Sequence, residues 1–324
     1  MSLTLATQKH VPLTFGAKEK LLQITDFKER ILMPQMATLA AMVEADLIAR
    51  MAKEVPNLVG TPGTTPSAMK VFSQARQKLE RNLAPASPRY TLMTDEANVE
   101  LVDTSKVLFN PVAEVEKMFY DGTLGKAQGS AFYECVNMPV IANGSKVSGV
   151  TVSGASQTGS TLAIGGLTAG DTILKGSVFT LAGVNEVHPL TGVDMGSLRQ
   201  FVVTADFTAT GTTGSIGVYP TIDIAAPNKT VTASPANGAA LTFVGSASTG
   251  YKNSLMFQRD AFTAAFAPLP VLASCEGYTA RLPSGISVRV MTFGSGLTDQ
   301  ESTRVDVLYG CTKVRPLHAA RIIQ

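Results

Sequence analysis

The spacing of apolar residues changes twice along this chain, and each change predicts a change of architecture. Residues 1–24 read as extended, with Phe15–Gly16 marking a turn before ITDFKERIL enters a helical region. Met36, Leu39, Ala40, Val43, Leu47 and Met51 then recur at helical spacing, with Glu44, Asp46, Arg50 and Lys53 largely off the stripe. Pro34 suits a first helical turn, where its missing N–H costs nothing, and Pro56 stops the helix. The stripe is expected to face a core. After the loop VGTPGTTPSA, Thr65 is a candidate cap and Pro66 a candidate first residue for a second helix over 66–83. Its apolar positions are Ala68, Val71, Phe72, Ala75 and Leu79, and Lys70, Arg76, Lys78 and Arg81 dominate its exposed side. RYTLMTDE reads as a strand ending at a Thr94 cap, followed by a short helix with two acids in its first turn. Asn110–Pro111 opens another helix, with Val112, Val115, Met118 and Phe119 inward and Gly122 as its cap. GSAFYECVNMPVI reads as a strand.

From residue 147 the period becomes two. VSGVTVSG, DTILKGSVFTLAG, RQFVVTADFTAT, IGVYPTI and KTVTASP are short β segments separated by Gly, Asn and Pro turns. They predict a small barrel or sandwich, and LTFVGSAS either closes it or leads out. After residue 250, YKNSLMFQRDAFTAAFAPL reads as a strand running into a short helix stopped by Pro268 and Pro270. Two strands, ISVRVMTF and TRVDVLYG, flank GSGLTDQES. Arg289, Arg304 and Asp306 alternate with apolar residues there, which predicts one buried and one polar face.

Composition sharpens the contrast between these regions. Residues 141–250 contain 17 of the chain's 28 glycines and nine charged residues (Lys146, Asp171, Lys175, Glu186, Asp194, Arg199, Asp206, Asp223, Lys229). The pattern is that of a turn-rich β module set into a charged α/β chain. The 324 residues suffice for two domains. A net charge of +2 makes no whole-chain case for nucleic acid. Cys135, Cys275 and Cys311 are too few and too scattered for a disulfide scaffold, and are expected to be buried. The N-terminus lacks the features of a secretory leader. The long uncharged runs are rich in Gly, Ser and Thr, so no membrane span is expected.

No motif for catalysis stands out. His10, His188 and His318 lie far apart, without metal-ligand spacing. GASQTG (154–159) has the wrong spacing for a nucleophile elbow and reads as a turn. GTLGKAQG lacks the hydroxyl residue of a phosphate-binding loop, and GSG at 294–296 is explained by a hairpin. Asp95 and Glu96 are explained by a helix start. Neither enzyme activity nor a cofactor or metal is expected.

Three segments resemble the major coat proteins of short-tailed double-stranded-DNA phages, the branch of the HK97-like capsid fold with an inserted β-barrel. The first is LFNPVAEVEKMFYDGTLGKAQGSAFYECVNMPVIANGSKVSGVTVSGA (108–155). The second is GDTILKGSVFTLAGV (170–184) with RQFVVTA (199–205). The third is NSLMFQRDAFTAAFAPLP (253–270), continued by GISVRV and RVDVLYGCTKVRPLHAARI within 285–322.

The resemblance implies an α+β chain: an HK97-like capsid fold, with peripheral and axial domains and an all-β barrel inserted. The implied divisions are 1–30, a remnant of an extended loop and N-terminal region; 31–146, the first part of the core; 147–250, the inserted barrel; and 251–324, the second part of the core. The helix at 34–54 is the candidate spine helix. The start SLTLATQKHVPLTFGAKEKLL looks like the returning strand of the extended loop, so the N-terminal arm and the outgoing strand are expected to be missing.

The implied function is a major capsid protein that self-assembles into an icosahedral shell enclosing dsDNA. Its implied partners are copies of itself in pentamers and hexamers, scaffolding and portal proteins, and nonspecific packaged DNA, with no membrane. It would be made and assembled in the host cytoplasm and reside in the virion capsid. Phe15 and Lys18 on the loop remnant, Arg76 and Lys78 on the basic helix, and Arg259 and Asp260 at a strand–helix junction are candidates for subunit-interface or DNA-facing contacts. The alternative is a phage tail, decoration or adhesin-like binding protein with a β-sandwich module.

Overall fold

The computed structural model describes residues 2–16, 33–105, 125–295 and 300–324. Lys18, the helical stretch ITDFKERIL and the helix expected from Asn110–Pro111 lie outside the described residues. In chain order, strand β1 (Thr7–Gly16) precedes helix α1 (Met33–Ala52), β2 (Leu58–Val59), α2 (Met69–Arg81), β3 (Arg89–Met93) and α3 (Asp95–Ser105). Next come β4 (Lys126–Ala127), β5 (Ser130–Glu134) and β6 (Val140–Ala142). The glycine-rich region forms β7 (Thr151–Val152), β8 (Gly159–Gly165), β9 (Thr172–Ile173), β10 (Val178–Val187), β11 (Asp194–Val203), β12 (Phe207–Thr208), β13 (Thr213–Ile222) and β14 (Leu241–Phe243). The chain returns through β15 (Gly250–Gln258), a 3-10 turn (Arg259–Ala261), β16 (Phe262–Ala267), β17 (Glu276–Arg281), β18 (Ser287–Ser295) and β19 (Gln300–Lys313). A second 3-10 turn (Pro316–His318) leads into β20 (Ala319–Ile323).

Two units are formed: Met1–Ile48 with Phe262–Val314, and Ala49–Ala261 with Arg315–Gln324. In the first, β19 is central. β1 runs antiparallel along one edge, from Thr7 opposite Tyr309 to Gly16 opposite Gln300. β18 and then β16 share the other edge, and β17 pairs outside β18. Phe15 is therefore a strand residue opposite Glu301, where a turn was expected. FTAAFA, expected to be a short helix, is strand β16: pairing with β19 satisfies its backbone and overrides the helix preference of its alanines. The chain before β1 crosses β19 so closely that a Cβ on Gly310 would lie 2.1 Å from the Thr4 carbonyl oxygen, which requires glycine there.

Leu39 and Val43 of α1, with the partly buried Leu47, pack against Val290, Val305, Val307 and Tyr309. The Tyr309 hydroxyl donates to Asp46 at 2.6 Å. The buried line is narrower than the expected stripe, because Met36 and Ala40 are exposed.

In the second unit, a sheet in the order β2-β20-β15-β3-β5-β4, with β6 also on β15, carries α2 and α3. Phe72, Ala75 and Leu79 of α2 and Leu101 of α3 pack with Met93, Phe132, Met256 and Ile322. α2 starts at Met69 with no side-chain cap, so the expected Thr65 cap is not formed. Thr94 does cap α3, accepting from the Ala97 N–H at 3.3 Å.

Of strands β7 to β14, β9 pairs separately with β12, and the other six make a sheet in the order β14-β10-β11-β13-β8-β7. A bridge between Thr151 and Ala240, with Val152 N–H donating to Ala239 and Leu241 N–H to Val150, joins its two ends into a barrel. Closure removes both sheet edges, which a glycine-rich module would otherwise expose to other chains. GASQTG is the expected turn, cross-linked by the Gln157 amide to Ser153, Gly154 and Ala163. β8 was not anticipated, and KTVTASP forms only an isolated bridge, Glu186–Val231. Phe179 stands in the centre, with its ring 5.7 Å from Phe201 and 5.2 Å from Phe243. Phe179→Ala is expected to cost about 3–5 kcal/mol in urea unfolding, because a fully buried ring leaves a cavity. A loss below about 1 kcal/mol would show that the barrel collapses around the gap.

Candidate functional site

The nine charges of the glycine-rich region are not all surface decoration. Glu186, on β10, has a side chain only 3% exposed. It accepts from Arg81 Nη1 at 2.5 Å and from the Ser197 hydroxyl at 2.8 Å, and Lys78 Nζ lies 3.5 Å away. Arg199, on β11, is buried and shares the Asn82 Oδ1 between two guanidinium nitrogens at 3.4 Å each. Asn82 in turn donates to the Lys78 carbonyl oxygen, closing the C-terminal end of α2.

Three cations thus surround one carboxylate. Burial, the largest single influence on Glu186, pushes its pKa up. Lys78, Ser197, Arg81 and Arg199 together outweigh it and hold the carboxyl below the ordinary glutamate value. Burial pushes Lys78 down, and Arg81 and Arg199 add to this, so even its pairing with Glu186 leaves the ammonium below the usual lysine value. Burial pushes Arg199 down as well. Both values fall, for different reasons: Lys78 chiefly because it is buried, Glu186 because its cations and the Ser197 hydroxyl outweigh its burial.

The same seam has an apolar part and a backbone part. Val178 and Val202 of the barrel are buried with Leu58, Tyr251 and Ile323 of the sheet. The Gln200 side chain accepts from the Leu58 N–H at 3.0 Å and donates to the Leu58 carbonyl at 2.8 Å. One amide thereby substitutes for a neighbouring strand at the free edge of β2. Lys175 also pairs with Glu54. The barrel is fastened to the sheet by side chains as well as by its two chain crossings.

The sequence candidates scatter around this seam. Lys78 lies in it, so its charge is turned to Glu186 and away from the open surface where it was expected. Arg76 is about half exposed and makes an i,i+4 pair with Glu80 at 2.7 Å. Arg259 and Asp260 are exposed in the 3-10 turn, where the Asp260 N–H donates to Gln258 Oε1 at 2.6 Å. Phe15 is buried rather than presented to solvent.

Arg289, Arg304 and Asp306 correct the expected polar face. Asp306 is fully buried and accepts from both arginines, so these charges are spent inside the first unit. Of the cysteines only Cys135 is buried; Cys275 and Cys311 are partly exposed. Sequence reasoning missed Glu186, Arg199, Gln200 and Arg321. The available signal was a charge or amide inside a strand otherwise rich in apolar residues, as in SLRQFVV and AARII.

Among the described residues no group of three His, Cys, Asp or Glu side chains could hold a metal ion, and no helix is long and apolar enough to cross a membrane. Large apolar side chains do stand in solvent: Leu190 and Val193 between β10 and β11, Val136 after β5, Val99 on α3, and Leu272 and Tyr278 in the first unit. Contacts with further protein copies would cover such residues.

The glycine-rich strands thus close into a barrel within an α+β chain, and internal charges fasten that barrel to the neighbouring sheet. The family described as P22 coat protein - gene protein 5 matches residues 3–321, and the chain belongs to that family. It is a major capsid protein, a component of the phage virion whose copies form the shell.

The chain is similar to a solved structure of Mycobacterium phage Che8, at 11% identity and a TM-score of 0.48, covering 99% of this chain and 71% of that one. It is also similar to the capsid structure of Cyanophage P-SCSP1u, at 10% identity and a TM-score of 0.48 over 99% and 73% of the two chains. The mature capsid of bacteriophage PhiM1 matches at 10% identity and a TM-score of 0.45, over 100% and 72%. No curated protein matches the chain.

Proposed function

We propose that this coat protein closes an icosahedral shell from pentamers and hexamers, enclosing dsDNA without reading its sequence and doing no chemistry of its own. Membership of the coat protein family carries this reading. The exposed Leu190, Val193, Val136, Val99, Leu272 and Tyr278 support it as surfaces for neighbouring copies. Heterologous contacts repeated around a ring generate pentamers and hexamers, and many modest contacts make a lattice cooperative. Residues 31–146 and 251–324 serve as the core, with 147–250 as the inserted barrel. Scaffolding and portal proteins are the further partners, and assembly takes place in the host cytoplasm. Among the described candidate residues, Arg76 and Arg259 present cations at the surface for phosphates or neighbouring acids, and phosphate contacts of this kind weaken steeply with salt.

The test is expression with a scaffolding protein, followed by electron microscopy. Closed shells with five- and six-fold capsomers are expected. A monomer that stays soluble at every concentration and with every scaffold tried would sink the proposal.

A further inference from the structure

Arg321 occupies the middle of β20, in a strand whose residues are all buried. It is 2% exposed, and its Nη2 donates to the Gly176 carbonyl of the barrel at 2.8 Å. Gly176 has φ +95, and a Cβ there would lie 3.0 Å from the Lys53 side chain, so glycine lets this carbonyl come close. No carboxylate among the described residues pairs with Arg321, and burial pushes its pKa down to about 9. Its Nε–H is buried with no acceptor.

On the adjoining strand, Asn253 donates its amide N–H to the Tyr251 carbonyl at 2.8 Å, which fixes the amide orientation. Asn253 Oδ1 is then buried with no donor. Leu255 is opposite Arg321 and Asn253 opposite Ile323, so Arg321 and Asn253 are diagonal neighbours on one face of the sheet. Both line a single cavity of about 10 Å³, bounded by Gly176, Val178 and Val244 on the barrel side. That is space for one water molecule and little more.

We propose that this cavity is a binding site for one internal water, which accepts from Arg321 Nε and donates to Asn253 Oδ1, completing the seam between the last strand and the barrel. One orphan is a donor and the other an acceptor, so a ligand must supply both functions. Water does so. A halide ion would satisfy the guanidinium but would face the lone pairs of the fixed Asn253 oxygen. The bridge makes Arg321 a pin: one nitrogen holds the barrel carbonyl, and another holds the sheet through the solvent molecule.

The decisive experiment is a map of assembled shells that resolves ordered water, recorded for the native chain and for Asn253→Ala. A single peak within hydrogen-bond distance of both atoms is expected, weakened or lost in the variant. A cavity without density overturns the proposal. So does bromide replacing the peak when chloride is exchanged for it, because that would mark an anion site. A double-mutant cycle with Arg321→Met and Asn253→Ala in urea unfolding reads the coupling. The double variant should lose about tenfold less in its folding equilibrium than the product of the two single losses. Strict additivity counts against a shared ligand, and should Arg321→Met not fold, the Asn253→Ala map still decides.

Discussion

Asp306→Asn is expected to lower the unfolding free energy by about 3–5 kcal/mol, the largest electrostatic loss anticipated in this chain. Asp306 is fully buried in β19, directly opposite Arg289 on β18 and His10 on β1. Its Oδ2 accepts from Arg289 Nη2 at 2.8 Å and Nε at 3.2 Å. Its Oδ1 accepts from Arg304 Nε at 2.6 Å and Gln8 Nε2 at 3.4 Å. Four donors converge on one carboxylate. Arg289 is itself nearly covered, with its remaining nitrogen on the Pro270 carbonyl at 2.6 Å. An amide in place of the carboxylate turns one acceptor into a donor facing donors, and leaves two guanidinium charges unbalanced. By contrast, Arg76→Ala, which removes the half-exposed Arg76–Glu80 pair and leaves Glu80 to Arg89, should cost no more than about 0.5 kcal/mol, because solvent replaces the contact. Urea unfolding of the two variants side by side checks the ranking. A loss below about 1 kcal/mol at Asp306 would mean that the arginines reach water once released.

Glu186→Gln is expected to cost about 3 kcal/mol, the lower end of the range for breaking a buried ion pair. The lower end applies because Lys78 and Arg81 keep partial access to solvent, with side chains 17% and 26% exposed, and relax outward. Arg199 has no such escape. The variant keeps the size of the side chain, but it loses the charge and turns one acceptor oxygen into a donor, so the measurement reads the whole polar fastening of the barrel.

The pH dependence gives a second reading. The folded carboxyl sits below the ordinary glutamate pKa, so the unfolded chain binds its proton first as the medium is acidified. The contribution of Glu186 is therefore complete above the unfolded value of about 4.3 and is lost as pH falls through the folded value. The stability gap between the native chain and Glu186→Gln should be constant near neutrality and close below about pH 4. A gap that widens on acidification would contradict this assignment.

Particular elements show how far the chain could be read without coordinates. α2 was legible because Phe72, Ala75 and Leu79 recur at helical spacing, and all three are buried. A β module, barrel or sandwich, was legible from alternation and from its glycines, although β8 was hidden in STLAIGG, where small residues blur the period. β16 was misread because the alanines of FTAAFA favour a helix locally. Only its partner β19, distant in sequence, makes it a strand.

Local chemistry in the sequence alone thus determined α1, α2 and α3, the GASQTG turn and the presence of a β module between two charged segments. Period and turn residues act over a few positions and need no partner. The tertiary structure alone decided where the charges go. Whether Glu186, Arg199, Asp306 and Arg321 stand in water or in the interior depends on which surface folds over them, and that surface comes from residues dozens to hundreds of positions away. Lys78 could be read as an open cation until the barrel brought Glu186 to it, because electrostatic energy follows distance in space rather than along the chain.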